Sequence, residues 1–132
     1  MTPTIRWLAV LAAVLVLIQA VLIGQGLYPS LDQGMVGLHG TLGSVSLLAV
    51  IALTVLAVLS ARRGEGSSIV TGLSVITLIL VVAQLGLGYV GRRNGVAASI
   101  HIPNGVLIAG LLFAIAATTF STALGNGARP RS

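Results

Sequence analysis

Cysteine is missing from this 132-residue chain. Its absence excludes disulfides, thiolate-ligated iron–sulfur clusters and covalent haem attachment through a C-x-x-C-H motif. Charge is scarce too: 7% of residues are charged, and Asp32 and Glu65 are the only acids. A soluble domain of this length needs far more charge to cover its surface. Lysine is also absent, so all seven basic residues are arginine. The resulting net charge of +5 suggests an anionic partner, but the arginines sit at the ends of apolar segments. Topology signals and lipid head groups account for arginines in such places. With no basic face and no aromatic interleaving, the pattern argues against a nucleic-acid partner.

What the chain does contain is apolar sequence, 56% hydrophobic with a mean hydropathy of +1.09. Four long segments carry it, at residues 5–27, 36–61, 69–90 and 97–124. Each reaches or exceeds the roughly 20 residues that a helix needs to cross a bilayer. The first is too long for the apolar region of a signal peptide and has no small-x-small site after Ile23, so it reads as a true span. The connections are short and rich in turn residues. They predict one all-α integral membrane domain over residues 1–132, a four-transmembrane-helix bundle of up-down-up-down order.

An even number of spans puts both termini on one side. That side holds Arg6, Arg62, Arg63, Arg129 and Arg131, against Arg92 and Arg93 on the other. The positive-inside rule then predicts cytoplasmic termini in a multi-pass protein of the plasma membrane. Seventeen glycines, with many Ala, Ser and Thr, fit close helix packing through small residues. Trp7 and Tyr28 read as interfacial anchors. Asp32 is placed to cap the second helix, and the tail at 125–132 is expected to be mobile or docked on a partner.

His39 and His101 are the only histidines. Each lies about three residues inside a span that starts on the outer side. The second and fourth spans run in one direction, so the two imidazoles are expected at equal depth. An ionisable residue inside a span is costly and usually faces the bundle interior with a partner. Glycine follows each histidine four residues later, Gly43 and Gly105. Positions i and i+4 share a helix face, which leaves a flat surface for a bulky ligand such as a porphyrin. The two halves also read as weak repeats of one hairpin. Gly26-Leu27-Tyr28 matches Leu87-Gly88-Tyr89 in position, Gln25 and Gln84 precede them, and a histidine follows each tyrosine by 11 or 12 residues. Parallel repeats imply a pseudo-two-fold axis along the membrane normal, which brings His39 opposite His101. That arrangement suits bis-imidazole ligation of one haem iron, whereas zinc or copper would want more ligands. Arg92 and Arg93, in the loop above, are candidates for pairing with the haem propionates. Gln84, deeper in the third span, is a candidate for bonding either another helix or the cofactor edge.

Gln84-x-x-Leu87-Gly88 late in the third span, followed by His101 opening the fourth, resembles the haem A synthase family. Proteins of that family look like two fused four-helix bundles, each with one histidine in its second helix and one in its fourth. The resemblance covers nearly the whole chain as one such half. It implies that His39 and His101 are axial ligands of a single b-type haem. The catalytic half of that family carries a glutamate three residues before the histidine of the second helix, where this chain has Val36. The chain therefore resembles the haem b-binding, non-catalytic half.

The leading expectation is thus a small membrane cytochrome b that passes electrons near the outer face. It would act alone, as a homodimer, or among other membrane subunits of a respiratory or oxidase complex. Two alternatives stand beside it: a non-haem structural or accessory subunit, and a half-size haem A synthase-like protein whose partner supplies the missing acid.

Overall fold

The structure, a computed structural model, describes residues 3–127, with side chains through residue 121. Four helices make it up: α1 (Pro3–Leu27), α2 (Gln33–Arg62), α3 (Ser68–Gly91) and α4 (Gly95–Gly127). Among the described residues there is no strand. Every helix is long and apolar enough to cross a membrane. Each exceeds its expected span by at most three residues at either end. Of the tail, 125–127 continue α4, and 128–132 lie outside the described residues.

Local chemistry sets the helix starts. Asp32 caps α2 as expected, its Oδ1 accepting from Gly34 N at 2.8 Å and Met35 N at 3.2 Å. Ser67 Oγ accepts from Val70 N at the head of α3, and Asn94 Oδ1 from Val96 N and Ala97 N at the head of α4. Each cap satisfies amides that the first helical turn leaves without an intrahelical partner. The turn between α2 and α3 needs glycine twice. Gly64 has a φ of +74°, and a Cβ on Gly66 would stand 2.5 Å from Ala61 N. Pro103 sits inside α4, which continues through it. Membrane helices tolerate such a residue because neighbouring groups take up the freed carbonyl.

Each helix packs on two others, α1 on α2 and α4, and α3 on α2 and α4. Contacts run antiparallel around this square. Gly26 meets Val36 between α1 and α2, and Gly91 meets Ala98 between α3 and α4. Between α2 and α3, Thr54 Oγ1 reaches Ser74 O at 3.1 Å, and Thr71 Oγ1 reaches Ala57 O at 3.3 Å. Trp7 rests edge-on against Phe120, with ring centroids 6.0 Å apart, and the Arg6 guanidinium lies 4.7 Å above the same Phe120 ring. These contacts join α1 to α4 at the end that carries the termini.

The bundle is sorted in the sense that lipid demands. Ser46, Thr54, Ser60, Ser74, Thr77 and Thr119 are buried, while Leu48, Ile79, Val82 and Phe113 point outward. Small hydroxyl residues let helices approach closely; Thr54, Ser74 and Thr77 bond back to the carbonyl one turn earlier, Ser74 to Val70 O at 2.7 Å, whereas the buried Ser60 Oγ has no partner among the described residues. The large buried apolar residues, among them Ile5, Val50, Leu53, Val70, Ile108, Leu112 and Ile115, form one cluster. By helix rise it extends from mid-bundle to the end that carries the termini. The other half, under the turns at 28–32 and 92–94, buries mostly small residues: Gly26, Gly43, Ser46 and Ala97.

Leu112 is fully buried and Leu48 is 65% exposed. Leu112→Ala should therefore lose about 2–3 kcal/mol through the cavity it opens, and Leu48→Ala under about 0.5 kcal/mol. Unfolding in mixed micelles, followed by the fluorescence of Trp7, measures both; equal losses would show that Leu112 is not packed as described.

Candidate functional site

The small-residue half of the bundle holds its polar centre. His39 on α2 and His101 on α4 stand diagonally across the bundle, their ring centroids 6.0 Å apart and their planes at 67°. Both are half-buried. The two histidines singled out by sequence position thus face each other at one depth.

Each imidazole is held by the preceding helix of its own hairpin. His39 Nδ1 lies 2.9 Å from Gln19 O, and His101 Nδ1 lies 3.1 Å from Gln84 O. A carbonyl oxygen only accepts, so each Nδ1 carries the hydrogen and donates it. The proton on Nδ1 leaves the lone pair of a neutral ring on Nε2. This is the tautomer that binds a metal, and the carbonyl behind it fixes ring orientation. In this contact Gln19, and not the Gln25 that the hairpin pattern pairs with Gln84, is the counterpart of Gln84.

The glutamine side chains then diverge. Gln19 Nε2 donates to Ser46 Oγ at 2.7 Å, within α1–α2. Gln84 turns to its own histidine: its Nε2 stands 3.2 Å from His101 Nε2. Asn104, one turn after His101, secures that arrangement by donating from Nδ2 to Gln84 Oε1 at 2.6 Å and to Leu80 O at 3.0 Å. Because Asn104 donates to Oε1, the Gln84 amide must present its NH₂ to the ring, and His101 Nε2 accepts. Gln84 therefore bonds another helix, the first of its two sequence-derived roles. Asn104 was missed by sequence reasoning although its spacing of three from His101 puts it on the same face.

Glycine makes room for these side chains. A Cβ on Gly88 would stand 2.9 Å from His101 Cε1, so the ring lies directly on the α3 backbone. At Gly105 a Cβ would meet Gln84 Nε2 at 3.0 Å, and at Gly43 it would meet Leu85 Cδ2 at 3.2 Å and Gln19 Oε1 at 3.3 Å. Beside Gly43 and Gly105, where side-chain-free surfaces were expected, the Gln84, Leu85 and Gln19 side chains take up the space.

Arg92 and Arg93 are exposed in the turn between α3 and α4. With Tyr89, Val90 and Asn94 they line a recess of about 470 Å³. Arg92 reaches back over α2, its Nη2 3.8 Å from the point where a Cβ on Gly40 would stand. That places one guanidinium above the residue next to His39. Among the described residues no cluster of three or more His, Cys, Asp or Glu exists. The donor set at the centre is two imidazoles, fewer protein ligands than a structural or catalytic zinc site uses.

Among protein-family models, curated proteins and solved structures, none matches this chain.

Gly88→Ala tests how closely His101 is seated. The added methyl should push the ring off the α3 backbone and lengthen the Nδ1–Gln84 O bond. Gly86→Ala has nothing within 4 Å of its new carbon and should leave the ring in place. Nitrogen-15 spectra of the imidazoles read the difference, and unchanged His101 signals in Gly88→Ala would contradict the seating.

Proposed function

We propose that this chain is a membrane b-type cytochrome that holds one haem between His39 and His101 and passes single electrons. The carrying observation is the facing pair itself, with both Nδ1 protons committed to carbonyls. An imidazole nitrogen binds a transition metal at about 2 Å and lies about 1 Å from its own ring centre, so two axial imidazoles have centroids about 6 Å apart. The observed 6.0 Å agrees with that spacing. The donor set fits haem on chemistry as well: two imidazoles and no thiolate. Haem supplies the one-electron chemistry when bound.

The chain's own residues do the rest. His39 and His101 would be the axial ligands, oriented by Gln19 O and Gln84 O. Gly43 and Gly105 would lie beside the macrocycle once Gln19, Leu85 and Gln84, all flexible side chains, turn aside. Arg92 and Arg93 would hold the propionates at the recess they line, where guanidinium–carboxylate pairs are favourable. With two histidines to hold the group and no carboxylate within a span, the site would suit electron transfer better than oxidation of the haem. This is the character of the non-catalytic half of the haem A synthase family, which the sequence resembles. The electron partners would be other membrane subunits of a respiratory or oxidase complex, or a second copy of the chain.

A second reading has one observation in its favour. His101, Gln84 and Asn104 already satisfy one another, as they would in a non-haem accessory subunit. Spectra separate the two. Protein purified in detergent after expression with ample haem should show a six-coordinate b-type reduced-minus-oxidised spectrum. His39→Ala and His101→Ala should each abolish it. A colourless wild type would favour the accessory subunit.

The arginine distribution supports cytoplasmic termini in the plasma membrane, with the histidine end outward. The absence of cysteine makes this easy to test. Asn94→Cys should react in intact cells with a membrane-impermeant maleimide, and Ser67→Cys only after lysis. The reverse pattern would invert the topology.

A further inference from the structure

Arg6 alone among the arginines lies inside one of the four apolar segments. It stands in the first turn of α1, between the buried Ile5 and the exposed Trp7. Its guanidinium lies over the Phe120 ring of α4, and Trp7 meets the same ring edge-on. Arg6 Nε is buried and has no hydrogen-bond partner. Glu65, the only acid at this end of the bundle, sits exposed in the turn after α2. Among the described residues no ion pair reaches Arg6. A ring face attracts the charge but offers no lone pair to its five N–H donors.

This placement is costly without an anion. A charged group taken out of water needs a partner, and a cation in the first turn also meets the positive end of the helix dipole. Depth says which anion is at hand. The 25 residues of α1 make about 37 Å of helix, against roughly 30 Å of hydrocarbon. Its first turn therefore lies where hydrocarbon meets head groups, the boundary that tryptophan also prefers. Phosphate is the anion of that layer, and guanidinium pairs with it through two parallel bonds. Arg6 as a whole is only half-buried, so its remaining donors are open to the seam between α1 and α4. Arg62 and Arg63 lie at the same end. Their field favours a lipid of net negative charge over a zwitterionic one, whose ammonium brings a positive charge back.

We propose that Arg6, Trp7 and Phe120 form a site on the α1–α4 seam for the phosphate of one anionic phospholipid, in the leaflet on the side of the termini. The Arg6 fork takes the phosphate oxygens, Phe120 holds the fork in place, and Trp7 fixes the depth. The site is independent of the histidine pair, which lies at the opposite end of the bundle.

Native mass spectrometry of the full chain in detergent tests this, with phosphatidylglycerol and phosphatidylcholine of matched acyl chains as probes. The wild type should bind one phosphatidylglycerol in preference to phosphatidylcholine. Arg6→Gln should weaken that binding about tenfold or more, the loss expected for a charge-assisted hydrogen bond. Phe120→Leu keeps the charge, removes the ring that positions it, and should weaken binding about two- to five-fold. It also serves if the Arg6 variant fails to fold. Arg63→Gln, in the exposed turn at the same end, should change binding about two-fold at most. Equal affinity for the two lipids, or unchanged affinity in both Arg6→Gln and Phe120→Leu, would overturn the site. A loss in Arg63→Gln as large as in Arg6→Gln would replace it with a diffuse basic surface. Displacement of the bound lipid by inorganic phosphate would overturn the lipid assignment in favour of a free anion.

Discussion

Lipid offers no hydrogen bonds, so each polar group along the four helices must find its partner inside the bundle. That constraint accounts for the inside-out sorting of side chains. Thr54, Ser74 and Thr77 are turned inward, where they bond carbonyls of their own or the next helix, and Leu48, Ile79 and Val82 are turned outward. It also accounts for the two parts of the interior. From mid-bundle to the termini, large apolar residues meet in a dense core. Under the turns at 28–32 and 92–94, small residues open a space that two imidazoles, two glutamines and an asparagine fill, each bonded to another group. The histidines are not an addition to a finished bundle, because the packing of that half is built around them.

The spans were legible in the sequence because hydropathy over about 20 residues is a strong signal. Asp32 was legible for a local reason: capping involves amides two and three residues away. Equal depth for His39 and His101 was read from chain direction, and their facing from the apparent repeat of the two hairpins. What stayed hidden was the partner of each ring. The carbonyls that accept from them belong to residues 20 and 17 positions earlier, across a hairpin. A backbone carbonyl carries no sequence signature, and matching the halves by their Gly-Tyr ends selected Gln25 over Gln19. The physical signal was present all the same. Gln19 is an amide deep in the first apolar run, and such a residue needs a partner in the bundle.

Helix length and loop length together explain why the two hairpins can share a geometry and still differ in detail. In both, a glycine near the end of the first helix lets the second approach: Gly26 against Val36, Gly91 against Ala98. In both, a glutamine carbonyl then meets the imidazole. Beyond that point the sequences part. Ser46 lies seven residues after His39 and draws the Gln19 amide away from the ring, whereas Asn104 lies three residues after His101 and holds the Gln84 amide against it. A shared backbone contact sets both tautomers, and two side chains at different helical positions make the rings unequal.

Such inequality has a consequence for any ligand that bridges the pair. The energy of bridging is the sum of two bonds less whatever each ring gives up to make its bond. His39 gives up no hydrogen bond within the described residues, and His101 gives up one whose donor is fixed by a second. The Gln84 amide, once displaced, must also find a new acceptor-rich setting or keep only its bond from Asn104, and in a bundle surrounded by lipid the choices are few. A ligand bridging the pair would therefore have to break one hydrogen bond on the α4 side, from Gln84 Nε2 to His101 Nε2. The same carbonyl bonds that orient both rings make the site symmetric in geometry, while the Gln84–Asn104 pair makes it asymmetric in hydrogen bonding.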